Sequence, residues 1–65
     1  MTRAQRELLE AVDESNQLDN LAYQFQTTTS GIARRLSALA KKGLVYRYHF
    51  EVYLTDEGRT LVDEG

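Results

Sequence analysis

The sequence predicts an α+β fold, mainly helical, and three observations carry that prediction. Residues 3 to 14 and 30 to 42 repeat their apolar side chains at the spacing of one helix face. Residues 44 to 54 switch to a Val-, Tyr- and Phe-rich run of the kind found in strands, and hydroxyl residues and glycines fall between the segments. The 65 residues read as one domain, residues 1 to 65, near the lower size at which packing alone holds a core. With no cysteine and one histidine, His49, neither disulfides nor a thiolate or imidazole metal site can add to it.

Each element follows from local chemistry. In RAQRELLEAVDE, residues 3 to 14, Ala4, Leu8, Ala11 and Val12 form one stripe among charges, which predicts an amphipathic first helix. Ser15 and Asn16 end it, because their side chains satisfy nearby backbone groups in turns and caps. A short extended piece follows and Leu18 begins a new element. Asp19 is the expected N-cap of a second helix, Asn20 to Phe25, with Leu21, Ala22 and Phe25 at helical spacing. Thr27, Thr28, Thr29 and Ser30 suit the entrance of a third helix that runs to about Lys42. At about 100° per residue, Ile32, Leu36 and Leu39 share one face, Ser30, Arg34, Ser37 and Lys41 the opposite one, and Arg35 and Ala38 flank the latter. Gly43 stops the helix, with Lys41 and Lys42 well placed on its dipole. The run LVYRYHFEVYL, residues 44 to 54, has room for two strands and a tight hairpin whose tip, near His49, lacks the Asn-Gly or Gly-X pair that tight turns favour. Thr55, with Asp56 and Glu57 behind it, opens a last helix to about Asp63 that carries Leu61 and Val62.

The net charge of −2 and pI near 5.2 hide an uneven distribution. Residues 1 to 19 carry −3 and residues 51 to 65 carry −4, whereas residues 20 to 50 hold Arg34, Arg35, Lys41, Lys42 and Arg47 and no acid, a block of +5. A basic island between acidic ends is what a small polyanion binder shows when its ends point away from the ligand. The charged start, MTRAQRELLE, and the absence of any apolar run near the roughly 20 residues of a membrane span predict a cytoplasmic protein with no membrane partner. No nucleophile elbow, phosphate loop or metal motif is present and His49 has no evident catalytic partner, so neither an enzyme nor a cofactor nor a bound metal is expected.

Together, the Leu21-Ala22 pair, TTTSGIARRLSALAKKGLVYR over residues 27 to 47 and LTDEGR over residues 54 to 59 resemble the winged helix-turn-helix core of MarR-type transcriptional regulators. The resemblance covers roughly residues 18 to 62 and implies a three-helix core, a short two-stranded wing and a short C-terminal helix. It implies a small prokaryotic transcriptional regulator, nucleoid-associated when bound, that reads double-stranded DNA by inserting its third helix in the major groove. Thr28, Thr29, Ser30, Gly31, Arg34, Arg35, Ser37 and Ala38 are then the major-groove set, with Arg34 and Arg35 the main anchors, since Arg bonds bidentately to guanine. Thr27, Lys41, Lys42, Arg47, Tyr48 and His49 supply phosphate or wing contacts.

Several of these residues have a plain structural alternative. The threonines cap the helix, the two lysines serve its dipole, and His49 is a turn residue. Tyr46, Tyr48, Phe50 and Tyr53 are expected to pack the small core, with Tyr48 and Phe50 at the tip as the alternative contacts. Only YRYHFEVY separates GLV from LT, a shorter wing than the family's, and the family's helices beyond both ends of the core have no counterpart here, so effector sensing is not expected. Leu8, Leu9, Val12, Leu61 and Val62 either complete the core or join two chains. A homodimer through helix one and the C-terminal helix is expected, which would match paired half-sites. The rival reading is a winged-helix protein-interaction module that docks through its acidic ends.

Overall fold

The structure, a computed structural model, describes residues 1 to 64. It is α+β and mainly helical: α1 (Arg3–Glu14), α2 (Leu18–Gln24), α3 (Thr29–Lys41), β1 (Val45–Tyr48), β2 (Glu51–Leu54) and α4 (Asp56–Glu64). Thr2 caps α1 in a reciprocal box with Gln5, each side chain meeting the other's backbone amide, and the helix ends at Ser15. No helix among the described residues is long and apolar enough to cross a membrane.

The start of α2 departs from expectation. Gln17, whose side chain donates to Glu51 at 3.3 Å and does not cap the helix, takes the N-cap position, and Asp19 lies inside the first turn, where its charge favours the helix dipole. The reason lies in a distant segment. The segment between α1 and α2 lies against the beginning of β2, with Ser15 and Gln17 extended: the Val52 amide donates to the Asn16 carbonyl at 2.9 Å, the Asn16 side chain donates to the Val52 carbonyl at 2.9 Å, and the Leu18 amide donates to the Phe50 carbonyl at 3.0 Å. This clasp, with an antiparallel bridge between Gln17 and Glu51, fixes where α2 begins.

Both α2 and α3 close by the same device. Past α2 the Thr27 amide donates to the Ala22 carbonyl and the Gln26 amide to the Tyr23 carbonyl, and past α3 the Leu44 and Gly43 amides donate to the Leu39 and Ala40 carbonyls. The residue in the left-handed position is Gly43 (φ +77°) after α3 but Gln26 (φ +54°) after α2. The β1–β2 hairpin pairs Tyr48 with Glu51, leaving His49 and Phe50 as its two-residue turn, and His49 is also left-handed, at φ +57°. A side chain in this region costs on the order of 1 kcal/mol, partly offset by the entropy that glycine adds to the unfolded chain. Gln26→Gly and His49→Gly are each expected to raise unfolding stability by about 0.5 kcal/mol, readable as a higher urea midpoint at unchanged slope.

One core joins all six elements. Leu8, Leu9, Ala11 and Val12 of α1, Leu18, Leu21 and Ala22 of α2, and Ile32, Leu36 and Leu39 of α3 are buried together with Leu44, Val45 and Val52. Leu8, Leu9 and Val12 therefore complete the chain's own core and leave no apolar side chain of that set free for a dimer, while Leu61 and Val62 pack half-buried against it. The aromatic residues depart from expectation in the other direction. Tyr46, Tyr48 and Phe50 are 52%, 53% and 77% exposed, because aliphatic side chains fill the interior and Tyr46 and Tyr48 fall on the strand positions that point away from it.

The last helix is seated by LTDEGR. Leu54 packs against the core, the Thr55 hydroxyl donates to the Gly43 carbonyl at 2.6 Å and accepts from the Gly58 amide at 3.1 Å, and the Thr55 amide donates to the Leu44 carbonyl at 3.0 Å. Gly58 is buried against the Leu44 carbonyl, closer than any side chain would allow. Arg59 then pairs with Asp13 at 3.1 Å, and Arg6 of α1 donates to the Leu61 carbonyl at 2.9 Å. The motif thus fastens α4 both to the exit of α3 and to α1.

Candidate nucleic-acid interface

The 3.6-residue period that buries Ile32, Leu36 and Leu39 turns Ser30, Arg34, Ser37 and Lys41 to solvent along the opposite side of α3. Thr28 is the N-cap, its hydroxyl accepting the Gly31 amide at 3.0 Å. Thr27 is half-buried and its Oγ1 lies against the bare Cα of Gly31. Thr27 and Gly31 therefore meet each other: the missing side chain makes room within the protein. Arg35 and Ala38 stand about 100° and 40° round the helix from Arg34, beside a groove whose other walls include Ala4, Glu7 and Phe25. Arg34 is thus central to the exposed face, and Arg35 sits on its border with the acids of α1.

The cations of the basic block are free of internal ion pairs among the described residues. Among the described residues the two ion pairs are Arg6 with Glu10 and Arg59 with Asp13, and both lie outside the stretch from residue 20 to 50. Arg34, Arg35, Lys41, Lys42 and Arg47 are all exposed and none has a carboxylate within 4 Å. The Arg47 guanidinium instead donates to the His49 carbonyl at 3.1 Å. Lys41 occupies the last turn of α3 and Lys42 its C-cap, where each also favours the helix dipole.

The hairpin divides its residues between two faces. Arg47, opposite Val52, turns toward α3 and shares a groove with Thr29, Ser30, Ala33 and Phe50. Tyr48, opposite Glu51, belongs to the outer face with Tyr46 and Tyr53, and the His49 ring meets it edge-on at 4.5 Å. Tyr46 and Tyr53 stack at 5.5 Å, and the Tyr53 hydroxyl donates to Glu51 at 2.7 Å. That hydrogen bond, helped by burial, holds the Tyr53 phenol above the usual tyrosine range. The structure accordingly brings Thr29, Ser30, Arg34, Ser37, Lys41 and Arg47 to one side and leaves Tyr48 and His49 on another. Phe50, one of the two alternative contacts at the tip, joins the first group through its clasp to Leu18, and Ala33, which no local pattern marks, joins it as well.

Chemically this is an exposed helix with hydroxyls and a free guanidinium along its ridge and further cations at its C-terminal end and on the hairpin. With side chains it is roughly 10–12 Å across, the width of the B-DNA major groove. Compared with known proteins, the chain matches no family model and no curated sequence.

Proposed function

We propose that the protein is a sequence-specific binder of double-stranded DNA with a winged helix-turn-helix architecture, a small transcriptional regulator that acts by occupying its site and not by catalysis. In this reading α2 and α3 form the helix-turn-helix, α3 enters the major groove, and the β1–β2 hairpin is the wing. The observation that supports it most is the exposed ridge of α3, where Ser30 and Ser37 lie beside Arg34 and Lys41 and neither cation has a carboxylate within 4 Å, whereas Arg6 and Arg59 are paired with Glu10 and Asp13. Arg34 is the central base contact, and Lys41, Lys42 and Arg47 neutralise backbone phosphates. Arg35 contributes from the flank. Two copies on adjacent half-sites complete the proposal, joined through surfaces other than the buried residues of α1.

The test is selection from a pool of random duplexes at two salt concentrations. The expected result is a short enriched motif, repeated at a 10 to 10.5 base-pair spacing if two copies bind together, and weaker retention at the higher salt. Each neutralised phosphate adds about 0.9 to the slope of log affinity against log salt. Lys41→Ala should therefore lower that slope by about 1 in fluorescence anisotropy titrations while leaving the selected sequence unchanged.

A second reading, a winged-helix module that binds protein, draws on the groove between α1 and α2, lined by Glu7, Glu10, Glu14, Gln24 and Phe25. A basic partner segment would suit it. Failure to retain any duplex at low salt would favour this reading, and charge reversal at Glu10 and Glu14 would then be the variant to examine.

A further inference from the structure

Phe50 is a large apolar side chain left 77% exposed at the tip of the hairpin, and the fold does not need it there. Its backbone is nevertheless held firmly. The Leu18 amide donates to its carbonyl at 3.0 Å, the next strand is clasped to Asn16, and Arg47 donates to the neighbouring His49 carbonyl at 3.1 Å. With the backbone braced, a contact has only the two side-chain torsions of Phe50 left to order. The place to which it is braced is specific, for Phe50 lines the groove containing Thr29 and Ala33 of α3, with Arg47 and Asp19 at the same groove.

These side chains suit one kind of group. Phe50, Ala33 and the Thr29 methyl offer apolar surface beside the polar ridge, and apolar contacts of this type read the 5-methyl group of thymine in the major groove. The Asp19 carboxylate disfavours a phosphate in the groove, whereas Arg47 suits the polyanion that carries the base. Resting on the DNA-binding reading above, we infer that Phe50 is a specificity-determining residue that closes, with Ala33 and Thr29, around a thymine methyl at the edge of each site. The hairpin then acts from the major-groove side as an extension of α3.

Replacing each thymine of the selected duplex in turn by deoxyuridine removes only the methyl group. With the wild-type protein, anisotropy titrations should show a loss of about fourfold at one thymine per half-site, the effect of burying one methyl-sized group. Phe50→Ala should bind the parent duplex several-fold more weakly and show no methyl effect at that thymine, and Phe50→Leu should restore part of it. Circular dichroism of both variants should match the wild type, since the side chain is exposed. A methyl effect of the same size in Phe50→Ala, or none at any thymine in the wild type, would overturn the inference while leaving DNA binding intact. A wild-type protein that retains no duplex at all would instead remove the DNA-binding reading and this inference with it.

Discussion

Gly58→Ala is expected to remove most of the protein's stability at 25 °C. The Cβ it adds would stand on the Leu44 carbonyl oxygen and 3.0 Å from the carbonyl carbon, and these are backbone atoms tied on one side to the Thr55 amide and on the other to the exit of α3. Nothing flexible is available to give way, so α4 must lift off. Overpacking of this kind costs about 3 kcal/mol, and a chain of this size rarely holds more than about 3–5 kcal/mol. Helix propensity alone predicts the opposite sign, since alanine is better than glycine in a helix by about 1 kcal/mol. Gly43→Ala is the comparison to run beside it, because there a Cβ meets only the Glu57 carboxylate at 3.7 Å and the penalty is that of the left-handed backbone, about 1 kcal/mol. Urea titrations followed by circular dichroism separate the two. Gly58→Ala of wild-type stability would show that α4 is not seated on Leu44.

Arg34→Glu should abolish DNA binding and leave the fold untouched. Arg34 is exposed and makes no hydrogen bond or ion pair among the described residues, so the circular dichroism spectrum and urea midpoint should match those of the wild type. A lost guanidinium–guanine contact is worth about 1–3 kcal/mol, and the new negative charge in the groove adds to it. The expected loss on the selected duplex is at least about 100-fold, corresponding to roughly 2.7 kcal/mol. Arg35→Glu, at the border with Glu7, should lose about tenfold, since it removes charge from the flank and not a central contact. Equal losses at the two positions would show that α3 is rolled differently in the groove. Unchanged binding in Arg34→Glu would remove α3 as the reading element.

What was legible in the sequence was local. Gly43 after two lysines, Thr55 before two acids and the hydroxyl run at residues 27 to 30 mark helix ends through chemistry that acts within four residues, and the structure has helices ending and starting at those places. Thr2 and Gln5 stand at the T-x-x-Q spacing of a capping box and belong to the same class of signal. The apolar stripe of α3, and hence the ridge of Ser30, Arg34, Ser37 and Lys41, followed from periodicity alone. Contacts between distant segments were not legible. Asp19 is a good N-cap by type, yet the clasp of Asn16 and Leu18 to Val52 and Phe50 moves the N-cap of α2 two residues ahead of it, to Gln17. The tyrosines of β1 look like core by composition, and only the filling of the interior by leucine, isoleucine and valine from four other segments turns them outward. The nearness of Phe50 to Thr29 spans more than twenty residues and leaves no mark on either side of the chain.

The clasp at Asn16 also sets how this molecule opens. A two-stranded hairpin alone is marginal in water, but here the Val52 amide is bonded to the segment ahead of α2 and its side chain is wholly buried. That amide exchanges its proton only when the hairpin leaves α2 and the interior opens with it, so its protection should equal that of Leu36 in the middle of α3. The hairpin and the three helices behind it thus form one cooperative unit, with no separate low-energy excursion of the hairpin. Whatever holds the tip is held by the whole molecule.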